Sequence, residues 1–354
     1  MSKTSFKSDQ HGPPKSVPPP VPLYSLERLK RTEFHQPEAV IQGVLNEGET
    51  ILIVGRPKMG KSRLVAQAAL SIARGVPFLC KGVPRARRVL ILDLENRPAV
   101  IKDRFNRMGA GDLSGDERIF LVAPESLSET GVSLRPQDIP RLKQLLDESG
   151  ADILVVDTWR LLLGAVDENR AECVLEGLRT LSVLRQGRPT LCIVLVHHLR
   201  KQHMNAPLSL REDPYTWIEA VSGHHALVGH VDACFGLDRE SAQTGEGQVI
   251  VFGGVARNAA SSSMILEDDT ETLLFTPSDD IEVFRSLLTE KEAQFFKVAQ
   301  RLHRFGYEEL RRACDTKNRK TVTTMLGKAL GQGIMEKTGA AYRLVASGDS
   351  GSTP

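Results

Sequence analysis

No two of the five cysteines (Cys80, Cys173, Cys192, Cys234 and Cys314) stand in a C-x-x-C spacing. That argues against a cysteine zinc site and against a disulfide framework, and it suits a reducing cytoplasm. No apolar core near the first residue marks a secretion signal, and no run of about 18 apolar residues offers a membrane span. Neither charge is in strong excess: the formal net charge of +2 is too small to imply a polyanionic partner for the chain as a whole. What is present is an ordinary water-soluble composition, 41% hydrophobic and 25% charged over 354 residues. That length accommodates one large domain and a smaller one.

Residues 1–23 are polar, with six prolines between Pro13 and Pro22, and cannot bury enough apolar surface to fold. They predict a disordered or polyproline II arm. Residues 24–39 read as a linker with a short helix over 25–31. From 40 to 278 short apolar runs alternate with helical stretches. The runs at 50–54, 88–93, 119–122, 153–157, 191–197, 233–237 and 248–252 predict strands, several apolar on both faces. Helices are predicted over 61–74, 98–107, 138–148 and 168–185. This pattern is α/β, with helices on both faces of a mostly parallel sheet.

The stretch GRPKMGKS follows the apolar run ILIV and precedes the helical SRLVAQAALSIA. G-x-x-x-x-G-K-S is a phosphate-cradling loop, because its glycines let backbone N–H groups curl around phosphates at a helix N-terminus. The candidate nucleotide contacts are Gly55, Arg56, Pro57, Lys58, Met59, Gly60, Lys61, Ser62 and Arg63. Lys61 is placed for the β- and γ-phosphates of ATP, and Ser62 for Mg²⁺. A Mg-nucleotide site needs a carboxylate at a neighbouring strand end, and Asp157, closing ADILVVD, is the candidate. Thr158 follows it where a second acid could have stood, so the group that orients the attacking water must come from elsewhere. Glu95, just past the run RRVLILD, is the candidate base, with Asp93 as the more interior alternative. The run TLCIVLVHHLRK ends in His197 and His198, either of which can sense the γ-phosphate; His198 is preferred. Arg200 and Lys201 beyond it are candidate DNA contacts. The pairs His198/His203 and His225/His230 lack the further ligands that a zinc site requires.

With these motifs in order, the chain resembles the RecA-like hexameric ATPases, and among them the RepA group of plasmid replicative helicases, cousins of the DnaB helicases. The matching stretches are GRPKMGKS, LILDLEN, ILVVDTWR, LVHHLRK, VSGHHALVGHVDACFGL and VARNAASSSMIL, within residues 38–276. The resemblance implies ATP hydrolysis at the subunit interfaces of a ring, a hexamer, with single-stranded DNA drawn through its centre. One position departs. Where the family carries an arginine that reaches the neighbour's nucleotide, this chain has Ser222. Arg257 matches the family's later basic position and becomes the candidate trans arginine, with Arg239 as the fallback.

Residues 279–345 change character. Three helical runs, LTEKEAQFFKVAQRL, GYEELRRAC and NRKTVTTMLGKALGQG, precede IMEKTGAAYRLV, two short strands about a glycine turn. This predicts a winged helix-turn-helix. Residues 281–345 hold 13 Lys and Arg against 7 Asp and Glu. Arg311, Arg312, Lys317, Arg319 and Lys320 lie around the third helix, and of these Arg312, Lys317, Arg319 and Lys320 are the candidate contacts to duplex DNA or a replication protein. Residues 346–354 are a small-residue tail. Three functions fit: a DNA helicase or translocase, a non-motor ATPase switch that loads other proteins on DNA, and a winged-helix regulator whose ATPase controls assembly.

Overall fold

The computed structural model describes residues 23–109, 115–126, 138–164, 168–200, 209–241, 248–257, 259–278, 290–302, 304–314, 319–331 and 335–344. The proline-rich arm to residue 22, the link 279–289, the tail from 345, and Lys201, His203 and Lys317 lie outside them. The chain divides into two compact units, Met1–Gln36 and Pro37–Pro354. In the first, α1 (Leu26–Arg31) starts at Ser25, whose hydroxyl accepts from the Arg28 N–H at 3.1 Å. None of its residues is buried.

The second unit is built on a nine-stranded sheet. Its strands are β3 (Thr50–Gly55), β4 (Val89–Asp93), β5 (Ile119–Val122), β6 (Ile153–Asp157), β7 (Cys192–His198), β8 (Ala233–Ser241), β9 (Gln248–Ala256), β10 (Ala259–Asp268) and β11 (Phe275–Pro277). Across the sheet they run β11-β10-β9-β8-β3-β7-β6-β4-β5. From β8 to β5 every pairing is parallel; β9, β10 and β11 extend the sheet antiparallel. The parallel strands are apolar in successive residues because both faces are covered. Along β3, Ile51 and Ile53 enter one apolar layer while Leu52 and Val54 enter the other.

The first layer receives α2 (Lys61–Arg74) and α3 (Pro98–Arg107), through Leu64, Leu70, Ile101 and Phe105. It also holds the hairpin β1 (Ala39–Ile41) and β2 (Leu45–Asn46), beside which the buried pair Arg87–Glu47 closes at 2.6 Å. The second layer receives α4 (Ile139–Ser149), α5 (Trp159–Leu163), α6 (Ala171–Leu184), α7 (Pro214–Ile218) and α8 (Ala226–His230). Trp159 and Trp217 are fully buried there. Each such large apolar side chain adds on the order of 2 kcal/mol or more, and together they hold the strand ends that carry the site.

The C-terminal module comprises α9 (Glu290–Leu302), β12 (Arg304–Gly306), α10 (Tyr307–Ala313), α11 (Arg319–Gly331), β13 (Met335–Thr338) and β14 (Ala341–Leu344). Its sheet runs β12-β14-β13. Phe295, Phe305, Leu310, Val322, Leu326 and Met335 share their apolar cluster with Ile265 of β10, so the module is seated on the large sheet. The sequence predicts two strands here; β12 is a third, too short for any alternation to show. It also misses β10 and β11. ASSSMILEDD has weak strand propensity over its first half, and pairing with β9 supplies what propensity does not.

Candidate active site

The loop between β3 and α2 is shaped by close contacts. A Cβ at Gly55 would lie 2.5 Å from the Leu237 carbonyl oxygen of β8, and one at Gly60 would lie 2.8 Å from the Phe275 ring. Gly60 also takes φ 92°, which turns the chain into the helix. Inside the loop Lys61 is 5% exposed. Its ammonium donates to the carbonyls of Gly55 and Arg56, both at 3.0 Å, and lies 3.1 Å from His198 Nδ1. Burial lowers its pKa, with Asp157 and Glu95 opposing.

Two strands bring the acids beside it. Parallel register sets Asp93 of β4 against Asp157 of β6. Asp157 is buried and accepts a hydrogen bond from the Ser62 hydroxyl; burial lifts its carboxyl to about 6. Its Oδ1 and the neighbouring Thr158 hydroxyl are buried with no hydrogen-bond partner. Unpaired oxygens in such a place suit a hard cation, and Mg²⁺ therefore fits Ser62 and Asp157.

Asp93 is committed elsewhere. Its Oδ1 accepts from the N–H of Glu95 at 3.2 Å, the N–H of Asn96 at 3.0 Å and Asn96 Nδ2 at 2.9 Å. Its Oδ2 takes Arg104 Nη1 at 3.4 Å. It builds the turn that carries Glu95. The Glu95 side chain is 38% exposed, with Oε1 3.5 Å from His198 Nε2. The hydrogen bond with His198 holds its carboxyl below the usual value, against partial burial and with help from Lys61 and Arg104. Because an ammonium can only donate, Nδ1 of His198 accepts from Lys61, and its Nε2–H points to Glu95. One line of contacts thus runs Lys61–His198–Glu95.

Alternation along β7 puts His197 outside this line. It is 1% exposed, burial depresses its pKa to about 4, and its Nε2–H donates to the Ser222 carbonyl at 3.2 Å. Arg56 leaves the loop toward buried Asp238, at 3.5 Å, whose other oxygen takes the Trp217 indole at 2.8 Å. Pro57 and Lys58 are exposed at the loop's tip and Met59 is half-buried.

Several expected contacts are committed elsewhere. Arg63 is not spent on the cradle: it pairs with Asp268, donates to the Leu273 carbonyl at 3.2 Å, and stacks 4.6 Å from the Phe275 ring centre. Gln67 fixes the same segment, donating to the Phe275 carbonyl at 2.7 Å and accepting from its N–H at 2.8 Å. Arg200 donates to the Gly223 carbonyl. Arg257 is exposed, 3.9 Å from Asp232. It follows Ala256, which pairs with Ala233 at the start of β8, whereas the loop leaves β3 opposite Leu237. Four residues of strand, roughly 13 Å, separate those levels. Arg239 is exposed on β8. In the module Arg311 and Arg319 pair with Glu308, at 2.7 and 3.5 Å, and Arg312 donates to the Glu308 carbonyl. Lys320 is exposed. Among the described residues no group of three or more His, Cys, Asp or Glu is placed to hold a metal, and no helix is long and apolar enough to cross a membrane.

A phosphate loop with a buried lysine, a hydroxyl-bonded aspartate two strands away and a carboxylate facing both describe the nucleotide site of a RecA-like P-loop ATPase. The family described as AAA domain matches residues 17–204, more than half of the chain, and the chain belongs to it. No curated protein matches. Among solved structures, a KaiC-like protein from the hyperthermophilic archaeon Pyrococcus horikoshii OT3 is similar at 13% identity and a TM-score of 0.45. The match covers 68% of this chain and 93% of that one.

Proposed function

We propose that this chain is a Mg²⁺-dependent ATPase that assembles into a ring, a hexamer, and acts on DNA as a helicase or translocase in the replication of a plasmid or other mobile element. The observation that carries the hydrolytic part is the line Lys61–His198–Glu95, with Asp157 and Ser62 beside it. Glu95 orients and deprotonates the attacking water. Lys61 holds the β- and γ-phosphate oxygens, and Ser62 and Asp157 would hold a Mg²⁺, which when bound would offset the phosphate charge. His198, touching both Lys61 and Glu95, reports whether a γ-phosphate is present. Resemblance to the RepA group supports the DNA part. The test is ATP hydrolysis with and without single-stranded DNA: several-fold stimulation is expected, with unwinding of a forked duplex. Hydrolysis that ignores DNA supports instead a non-motor switch, which the serine at position 222 favours.

Arg257 is the proposed trans arginine, since its level on the sheet keeps it from its own loop. Arg257→Ala should bind ATP normally and hydrolyse it at least tenfold more slowly. Mixing it with Lys61→Ala protein should restore activity, because two different defects leave some composite sites intact. Mixed assemblies without any recovery would remove Arg257 from the site.

We assign the C-terminal module to duplex DNA as a winged helix-turn-helix, a reading that its order of helix, strand, two helices and two strands supports. On α11, Val322, Leu326 and Ala329 are buried, whereas Arg319, Lys320, Thr323, Thr324 and Gly327 form an exposed stripe with its charge at the N-terminal end. Charge reversal at Arg319 and Lys320 in the full chain should weaken duplex binding about tenfold and flatten its salt dependence. Hydrolysis without DNA should be unchanged. Duplex affinity and salt slope equal to wild type would point to protein docking.

A further inference from the structure

Ser222 stands where the resembling family carries an arginine, and every polar group it has is engaged. Its N–H donates to the His198 carbonyl at 2.9 Å, its carbonyl accepts from His197 Nε2 at 3.2 Å, and its hydroxyl donates to Glu168 Oε1 at 3.0 Å. Around it, residues 220–223 lie antiparallel along the end of β7. The Arg200 N–H donates to the Ala220 carbonyl at 2.8 Å, and Leu199 bridges to Val221. This short strap is therefore bound to the strand end that presents His198 to Lys61 and Glu95.

Glu168 fastens the strap from the other side. It belongs to none of the motifs read from the sequence, yet it is 7% exposed. A buried carboxylate costs several kcal/mol unless it is well partnered. Here Oε1 takes Arg160 Nη1 at 2.7 Å besides the Ser222 hydroxyl, while Oε2 is buried with no hydrogen-bond partner, 3.9 Å from His197 Nε2. The Glu168 carbonyl also accepts from the His224 N–H at 2.9 Å. Gly223, at φ 79°, permits this approach: a Cβ there would lie 2.8 Å from that carbonyl oxygen. One carboxylate oxygen thus joins α5, which follows Asp157, to the strap, and the strap in turn is bonded to β7.

We infer that Glu168 is a positioning residue for ATP hydrolysis: through Ser222 it docks the strap on β7 and so fixes His198 against Lys61 and Glu95. This rests on the ATPase reading proposed above. Glu168 touches no nucleotide, and its effect should fall on turnover rather than on binding. With the strap undocked, the carbonyl of His198 loses its donor and the strand end is free to shift. A displacement of about 1 Å at a reacting group is enough to slow catalysis on the order of a hundredfold.

The test uses the full chain with Glu168→Ala, Ser222→Ala and the double variant. Three quantities are read: kcat for ATP, the Kd of a fluorescent ATP analogue, and amide hydrogen exchange across residues 196–200 and 219–225. Glu168→Ala should lower kcat about tenfold, leave Kd within twofold, and raise exchange in both segments. Ser222→Ala should move the same way by a smaller factor, and the double variant should be no slower than Glu168→Ala, since both cut one connection. Glu168→Gln, which keeps an acceptor for the serine hydroxyl, should recover part of kcat. Raised exchange with unchanged kcat overturns the proposal, as does unchanged exchange, or loss of kcat and Kd in equal proportion. Multiplying effects in the double variant overturn it too. A wild-type chain that hydrolyses no ATP defeats the ATPase reading and this inference with it, whereas a wild-type rate in Glu168→Ala defeats this inference alone.

Discussion

Lys61→Ala should reduce ATP hydrolysis by at least about a hundredfold, to the background of the assay, and weaken MgATP binding measurably. The ammonium lies buried inside the loop's curve, and in the structure it already has the contacts that a phosphate would exchange. It donates to the Gly55 and Arg56 carbonyls and to His198 Nδ1. A triphosphate offers stronger, charge-assisted partners, and a preorganised cation of this kind contributes on the order of 3 kcal/mol or more to a transition state. Burial has lowered the lysine's pKa, and Asp157 and Glu95 oppose that shift, so the site is built to keep a cation among acids. Lys61→Arg should not rescue turnover. A planar guanidinium cannot replace a compact ammonium in a space where the native side chain is 5% exposed. Turnover and calorimetric MgATP binding decide the matter. Hydrolysis at the wild-type rate in Lys61→Ala would show that the loop is not the active site.

What could be read from the sequence is what local chain order dictates. The loop GRPKMGKS must follow a strand and open a helix to work, and both neighbours are visible as an apolar run and a helical period. Asp157 and the paired histidines end apolar runs, so their place at strand tips follows from the burial of the runs before them. The choice between Glu95 and Asp93 was harder. Asp93 with Asn96 three residues on carries the signal of a side chain bonding to its own turn, and in the structure Asp93 makes those bonds. The bracing partners were out of reach. Asp238 meets Arg56 because sheet order puts β8 beside β3, and Asp268 at the end of β10 meets Arg63 on α2. Glu168 is separated from Ser222 by 54 residues and stands in an unremarkable stretch before α6. Long-range register of this kind leaves no periodic trace in the chain.

Glu95→Gln should leave ATP affinity within about threefold of wild type while turnover falls by roughly 10² or more, the scale of a lost general base. The amide keeps the shape of the side chain and an oxygen that can accept from His198 Nε2–H, now 3.5 Å from Glu95 Oε1. The fold and the cradle are thereby preserved, and what disappears is the negative charge and its capacity to take a proton from water. In the wild type that charge is secure at neutral pH, because the hydrogen bond with His198 holds the carboxyl below its usual value. Asp93→Asn is the control and should behave differently. Asp93 receives the N–H groups of Glu95 and Asn96, the Asn96 amide and Arg104, so an amide nitrogen in its place would face donors with a donor. Leaving buried groups unpaired costs about 1–3 kcal/mol. Asp93→Asn should therefore lower Tm by several degrees and impair binding and turnover together, whereas Glu95→Gln should melt with the wild type. A turnover defect with intact binding and intact Tm in Asp93→Asn, alongside normal hydrolysis in Glu95→Gln, would transfer the base to Asp93.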